Sequence, residues 1–526
     1  MGSGIAYVAA RAGYAVDLID PDAASRERAV ARIRSDAARA GDESILSRVT
    51  LAERIPERSE AMLAIEAVPE RIELKRAVFS ALDAALDSQA LLATNTSSLS
   101  VSTLAQACTN PQRVLGLHFF NPPAAMKLVE IVEAEQTSPE ALERANAFVE
   151  RIGKTGVVCA DTPGFIVNRV ARPFYLQAMR ALAQRVGKVD ELDALARGVG
   201  FRMGPFELMD LIGLDVNLAV SESVYEALEV DRFEPQAIQR ELVAQGRLGR
   251  KTGSGFYTYQ DGRYARLELP VENGDGDEKL EEFIAVIGYG ENADALARTL
   301  ELHVQRVQRI ENDEFLEELD PEVSLVIDVG NGFDDRADVV IDLDRRLEPS
   351  TMIFVDAYAT DLGVLAPRLA HPERVLGYGV LGTIDEQHAV EVVDADATGD
   401  DALALAQDVF AAIGKPAVLV GDQPGLFLGR VIGSIVNEAM IAVADGVAAP
   451  DDIDLAMRYG VNYPRGPIEW GTQIGGKRIA RILKRLAAAE DEAFAPHRSL
   501  WVLDSSQDAG AEPIEEAGRD PLNIWG

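Results

Sequence analysis

The chain has 526 residues, 47% of them apolar, and a formal net charge of −35. That length exceeds what one hydrophobic core serves and predicts several domains. No apolar run reaches membrane-span length, and the acidic surplus works against nucleic acid or an anionic membrane as a partner. Two cysteines, Cys108 and Cys159, supply neither a disulfide framework nor a metal cluster. With no basic leader after Met1, they predict a reducing, cytoplasmic setting and no bound metal.

In chain order, Gly2-Ser3-Gly4-Ile5-Ala6 opens a helix that leads through Gly13 into a strand over 15–19 and then Asp20. An acid at the tip of the second strand of a dinucleotide fold accepts from a ribose 2′-hydroxyl and repels a 2′-phosphate, which favours NAD over NADP. The plainer reading of Asp20-Pro21-Asp22 is a turn after a strand. A full fingerprint sets a strand and two glycines ahead of the third. Gly2 takes the third place, so the first strand and its phosphate-binding turn are missing after Met1, and a true start upstream of Met1 is expected. Apolar runs over 61–65, 90–94, 114–119 and 128–132 read as further strands between amphipathic helices, the rhythm of a doubly wound parallel sheet. From Thr162 the pattern turns helical. Residues 165–182 read as one long helix opened by Thr162-Pro163-Gly164, which Pro173 should kink or split.

Motifs then recur. Pro111-Gln112-Arg113-Val114-Leu115-Gly116 returns as Pro372-Glu373-Arg374-Val375-Leu376-Gly377, and Asp161-Thr162-Pro163-Gly164-Phe165 as Asp422-Gln423-Pro424-Gly425-Leu426, both 261 residues on. Gly204-Pro205-Phe206-Glu207 returns as Gly466-Pro467-Ile468-Glu469, 262 residues on. Ordered matches at one spacing mean a tandem duplication. The fold class expected is a Rossmann-type α/β sheet followed by an all-α domain, duplicated, with the first copy lacking its first strand. The predicted division is 1–160, a truncated NAD-binding domain; 161–260, a helical substrate and dimerisation domain; 261–282, an acidic linker; 283–420, a degenerate Rossmann-like domain; 421–503, a second helical domain; and 504–526, an acidic tail. The second repeat does carry a strand and glycine turn, Ile284-Ala285-Val286-Ile287-Gly288-Tyr289-Gly290, but no acid where its second strand should end. It reads either as a weak nucleotide-binding start or as a relic that packs without binding nucleotide.

The chain has five histidines. One, His118, lies in the apolar run Leu117-His118-Phe119-Phe120-Asn121-Pro122, and twelve residues on comes Glu130 in Lys127-Leu128-Val129-Glu130. An imidazole on one strand with a carboxylate on the next is the arrangement of a general base and its orienting partner. Taken alone, a satisfied core histidine is the plainer reading. The pair keeps company, however, with Asn95-Thr96-Ser97-Ser98-Leu99-Ser100, Pro163-Gly164-Phe165-Ile166-Val167-Asn168-Arg169, Gly204-Pro205-Phe206-Glu207-Leu208 and Gly246-Arg247-Leu248-Gly249-Arg250-Lys251-Thr252-Gly253. As an ordered set these resemble the L-3-hydroxyacyl-CoA dehydrogenase family. The tandem arrangement, with Met457-Arg458-Tyr459-Gly460-Val461-Asn462-Tyr463-Pro464 late in the chain, resembles the family's long form of phenylacetate breakdown, which acts on 3-hydroxyadipyl-CoA.

The resemblance implies NAD-dependent oxidation of an L-3-hydroxyacyl-CoA, with His118 as general base, Glu130 orienting it, and Ser97 and Asn168 holding the substrate oxygen. Gly2, Asp20, Ala67, Glu70, Lys75 and Asn95 fall at positions near the cofactor. Singly, Ser97 could be a helix cap, Asn168 an ordinary polar residue on a buried helix and Lys75 a solvated helix face. Shifted by 261, Ser97 becomes Tyr358, His118 becomes Gly379 and Asn168 becomes Gly429, whereas Glu130 keeps a counterpart in Glu391. The second repeat is therefore expected to be non-catalytic and, by resemblance to dimeric relatives, to pack its helices on those of the first. The partners implied are an acyl-CoA and either a homodimer or this intramolecular pseudo-dimer. The rival from another class is a non-catalytic CoA-ester-binding or scaffold protein. A dehydrogenase for a free hydroxy acid fits the Asn-Thr-Ser-Ser run poorly. A dicarboxylyl substrate would need a basic group at the far end of the pocket, and the sequence alone does not locate one.

Overall fold

The computed structural model describes residues 1–269, 279–330 and 336–504. The predicted tail beyond 504 and most of the predicted linker lie outside these residues. The first unit holds β1 (Val16–Ile19), β2 (Val49–Ala52), β3 (Leu63–Glu66), β4 (Leu91–Thr94), β5 (Val114–Phe119), β6 (Leu128–Glu133) and β7 (Thr155–Ala160). The second holds β8 (Leu280–Gly288), β9 (Val304–Ile310), β10 (Leu325–Gly330), β11 (Met352–Asp356), β12 (Val375–Gly379), β13 (Val390–Asp394) and β14 (Ala417–Gly421).

The second unit's sheet is continuous, in the order β14-β13-β12-β11-β10-β8-β9, parallel except between β12 and β13. The first unit repeats this order but comes in two pieces, β3-β4-β5-β6-β7 and the pair β1-β2. The place that β8 takes between β9 and β10 has no strand between β1 and β3 among the described residues. β2, β7 and the start of β8 at Leu280 depart from the sequence reading: the last residues of the predicted linker are strand.

Why the central strands read as nearly unbroken apolar runs is plain from burial. Leu91 and Ala93 point to one face with Ile5, Val8 and Val149; Leu92 points to the other with Phe79 and Leu104. A parallel sheet covered by helices on both faces needs apolar side chains on both. Behind the sheet, the predicted long helix is two helices, Val167–Val170 and Arg172–Ala183. Pro173 sits in the first turn of the second, where a missing N–H costs little. The turn ahead of them is forced by Gly164 at φ +78°, where a Cβ would also meet the Arg169 amide nitrogen at 3.0 Å.

The helices of the two units share one core. Helix Leu428–Ala444 packs on Arg172–Ala183, and helix Pro450–Gly460 packs on β6 and on Val167–Val170. Buried ion pairs fix the contact: Arg169 Nε donates to Glu438 (2.6 Å), and Arg232 Nε to the other oxygen of Glu438 (2.7 Å). No described helix is long and apolar enough to cross a membrane.

Candidate active site

The antiparallel pairing of β5 with β6 sets His118 directly opposite Glu130. Imidazole Nδ1 lies 2.6 Å from Glu130 Oε2. Glu130 is fully buried, and its second oxygen accepts the N–H groups of Ile166 (3.1 Å) and Val167 (2.9 Å). A carboxylate so anchored at a helix start is fixed in place. Because Glu130 engages Nδ1, Nε2 is the nitrogen left to react. The rings of Phe120 and Phe165 flank the imidazole at 4.7 and 5.7 Å between centroids, restricting water around it.

A second cluster stands at the carboxyl ends of β3 and β4. Lys75 is 1% exposed, so the solvated-face reading fails. Its ammonium donates to both oxygens of Glu66 (2.8 and 2.9 Å) and lies 3.0 Å from Glu70. Glu70 in turn accepts the Ser97 N–H (2.7 Å), the Thr96 hydroxyl (2.8 Å) and, more weakly, the Ser97 hydroxyl (3.3 Å). Burial works against the Glu70 charge, but the Ser97 N–H, the Lys75 ammonium and the Thr96 hydroxyl outweigh it and hold its carboxyl below the usual range. The helix-cap role belongs to Ser100, which accepts the Thr103 N–H, and not to Ser97. Asn95 Oδ1 accepts the Phe119 N–H (2.8 Å) and so ties the end of β4 to the residue after His118. Asn168 stands in the first turn of the helix that anchors Glu130, and among the described residues its amide group makes no hydrogen bond.

The residues present fit a dinucleotide. Gly2 opens helix Gly2–Arg11, whose first N–H groups have no intrahelical acceptor, and its missing side chain would lie 3.9 Å from Ala67. Asp20 follows β1, one oxygen accepting the Asp22 N–H (2.9 Å). The turn reading thus holds for that oxygen and leaves the other for a ribose. Sequence reasoning missed Glu66, an acid closing β3 with a lysine nine residues on, and Thr96.

In the second unit the same register puts Gly379 opposite Glu391. A Cβ on Gly379 would meet Tyr358 Cζ at 3.1 Å, so the phenol ring fills the space an imidazole would need. Tyr358 donates its hydroxyl hydrogen to Glu391, and Glu391 accepts the Phe427 and Leu428 N–H groups (2.7 and 3.2 Å), repeating the anchoring of Glu130. The frame is kept and the imidazole is gone.

A doubly wound sheet with an anchored imidazole–carboxylate pair at its ligand edge, closed by a helical domain, defines an NAD-dependent oxidoreductase of the two-domain dehydrogenase type. The chain belongs to the 3-hydroxyacyl-CoA dehydrogenase family. Its NAD-binding domain is matched at residues 1–162 and again at 278–423, and its C-terminal domain at 164–259 and 425–517. The chain is 37% identical over 499 residues to the 3-hydroxyadipyl-CoA dehydrogenase of Escherichia coli K12, covering 92% of this chain and 91% of that one. It is 35% identical over 271 residues to a probable 3-hydroxybutyryl-CoA dehydrogenase of Bacillus subtilis, covering 50% of this chain and 94% of that one. Among solved structures, a 3-hydroxybutyryl-CoA dehydrogenase from Escherichia coli K12 superposes with a TM-score of 0.75 at 35% identity, covering 96% of this chain and 97% of that one. The tandem architecture is therefore shared with the relatives that span the whole chain.

Proposed function

We propose that the first unit oxidises the 3-hydroxyl of an L-3-hydroxyacyl-CoA to the 3-oxo group, with 3-hydroxyadipyl-CoA as the preferred substrate. The observation that carries the reading is the His118–Glu130 pair of the first unit; in the second unit Gly379 stands where the imidazole would be and Tyr358 bonds the retained Glu391. A nicotinamide dinucleotide held at Gly2, Asp20 and Ala67 would supply the acceptor for the C3 hydride. His118 Nε2 takes the hydroxyl proton, and the imidazolium so formed is stabilised by Glu130, which its two backbone donors prevent from turning away. Asn168 and Ser97 hold the hydroxyl oxygen so that the C3–H bond is aimed, a positioning role. Glu70, held by Lys75, fixes the Ser97 backbone. Gly2, Asp20, Ala67, Glu70, Lys75 and Asn95 form the cofactor side of the site.

The dicarboxylyl preference is supported by the name of the full-length relative, and the acyl-CoA partner by the family. The buried, unpaired thiol of Cys159 suits a reducing cytoplasm. The packing of helices across the two units suits a pseudo-dimer within one chain. The test is NAD reduction with 3-hydroxybutyryl-CoA and 3-hydroxyadipyl-CoA. Turnover that falls by about 10²-fold or more in His118→Ala supports the reading. Turnover unaffected by that change overturns it, and tight acyl-CoA binding with no turnover would favour the binding-protein alternative.

A further inference from the structure

Arg172 is a buried cation, 5% exposed, that makes no ion pair among the described residues. Its Nε donates to the Asn168 carbonyl (2.9 Å), its Nη1 reaches the Ser221 hydroxyl (3.3 Å), and its guanidinium lies 4.8 Å from the centre of the Tyr175 ring. Three other buried arginines are neutralised: Arg169 faces Glu438, Arg336 faces Asp328 and Arg374 faces Asp344. Arg180 has no ion pair among the described residues either, but it lies two turns further along the helix and meets the Asp231 and Arg232 carbonyls and the Phe494 ring. Burying a charge beside neutral acceptors alone is costly, and such an arrangement persists where a ligand completes it.

Next to it stands Tyr463, from the loop that follows helix Pro450–Gly460 of the second unit. Its ring packs on Phe174 and Phe201, and its buried hydroxyl oxygen has no hydrogen-bond partner. Phe174 links the two: its ring lies 5.4 Å from Tyr175, over which the Arg172 guanidinium sits, and 5.8 Å from Tyr463. The end of that helix, where the loop begins, is pressed on the catalytic side of the first unit: a Cβ on Gly460 would meet Leu128 at 2.7 Å and Val167 at 3.0 Å, with Phe120 at 3.6 Å.

Position decides what the ligand is. Arg172 opens the helix after the one that carries Asn168, and its Nε bond to the Asn168 carbonyl (2.9 Å) holds the guanidinium against that turn. Asn168 lies in the turn that anchors Glu130, beside the reacting group. Three C–C bonds of about 1.5 Å each put a terminal carboxylate roughly 4–5 Å beyond C3, a reach that suits a cation just past the Asn168 turn. In the second unit, 261 residues on, Arg172 is replaced by Gly433, so the cation occurs only where the base occurs.

We infer that Arg172 and the Tyr463 hydroxyl form the subsite for the terminal carboxylate of a dicarboxylyl-CoA, and that the second unit, through Tyr463, completes the acyl pocket of the first. A guanidinium offers the carboxylate paired N–H donors, and the phenol adds a third. Ser221, backed by its own bond to the Asn217 carbonyl (3.0 Å), holds the guanidinium in place. This rests on the first unit's being the acyl-CoA site. The test is calorimetric binding of adipyl-CoA and hexanoyl-CoA, equal in chain length, to the full chain and to Arg172→Met, Arg172→Lys and Tyr463→Phe, each checked for folding by its thermal melt. The parent should prefer adipyl-CoA by about tenfold or more, Arg172→Met should abolish the preference, and Arg172→Lys and Tyr463→Phe should each retain only part of it. Equal affinity for the two ligands in the parent, or a preference that survives both Arg172→Met and Tyr463→Phe, overturns the assignment. If Arg172→Met does not fold, the parent's preference and its response to Tyr463→Phe decide. Failure of the dehydrogenase reading shows separately, as absence of NAD reduction with 3-hydroxybutyryl-CoA.

Discussion

Tyr358 stands to Glu391 as His118 stands to Glu130: each is the buried ring that hydrogen-bonds a carboxylate held from behind by two helix-start N–H groups. In the second unit the bond is structural. Tyr358→Phe should leave a buried carboxyl short of one donor and lower stability by about 1–3 kcal/mol, read as a lower Tm in calorimetry, while oxidation by the first unit continues. A variant as stable as the parent would show that the Tyr358 hydroxyl contributes nothing there.

Glu391 also gives the protein a pH signature. Burial pushes its carboxyl up to about 7, against the donors from Tyr358, Phe427 and Leu428. A carboxyl whose folded value lies above its unfolded one adds stability that is fully present below the unfolded value, near 4.5, and is lost as pH rises through about 7. Glu391→Gln should flatten the fall in stability across that window relative to the parent. Parallel curves in urea titrations from pH 4.5 to 7.5 would contradict it.

For the first unit, Glu130→Gln should preserve the strand pairing but remove the charge that stabilises the imidazolium. The expected result is a loss of about 10²–10⁴ in kcat with KM changed much less. A loss confined to KM would assign Glu130 to substrate binding instead.

The Lys75 cluster makes a prediction about stability. Lys75→Met would leave Glu66 and Glu70 facing one another without their cation and should cost about 3–5 kcal/mol. Adding Glu66→Gln removes one of the stranded charges and should recover part of that loss. Additive losses in the double-mutant cycle would mean the two side chains are not coupled.

Much of this was legible from residue order. Alternating apolar runs located β3 to β6, and Pro173 marked the break between two helices, because a proline is tolerated only in a first turn. The His118–Glu130 pairing could be read because antiparallel neighbours twelve residues apart fall into register across a short connection. Lys75 was harder. Its helix puts it among Ile72 and Phe79, but only the three-dimensional approach of Glu66 and Glu70 shows why a lysine is buried there. Arg172 was invisible for the same reason from the other side: what marks it is a missing carboxylate together with Tyr463, which comes to that region from 291 residues along the chain. Relations of that length carry no local pattern.

The Arg169–Glu438 pair has a consequence for how such a chain can change over time. In a dimer of identical subunits every interface substitution appears twice, at two-fold related places, and must suit both. Here the counterpart of Arg169 is Arg430 and that of Glu438 is Gln177, yet Arg430 does not repeat the bond: it turns to Glu490 (2.7 Å). Joined in one polypeptide, the two halves are released from mirror constraint, and a change on one side need not be acceptable on the other. That freedom is what allows one half to drop its imidazole, keep its frame, and send Tyr463 to pack on Phe174 and Phe201 of its sibling.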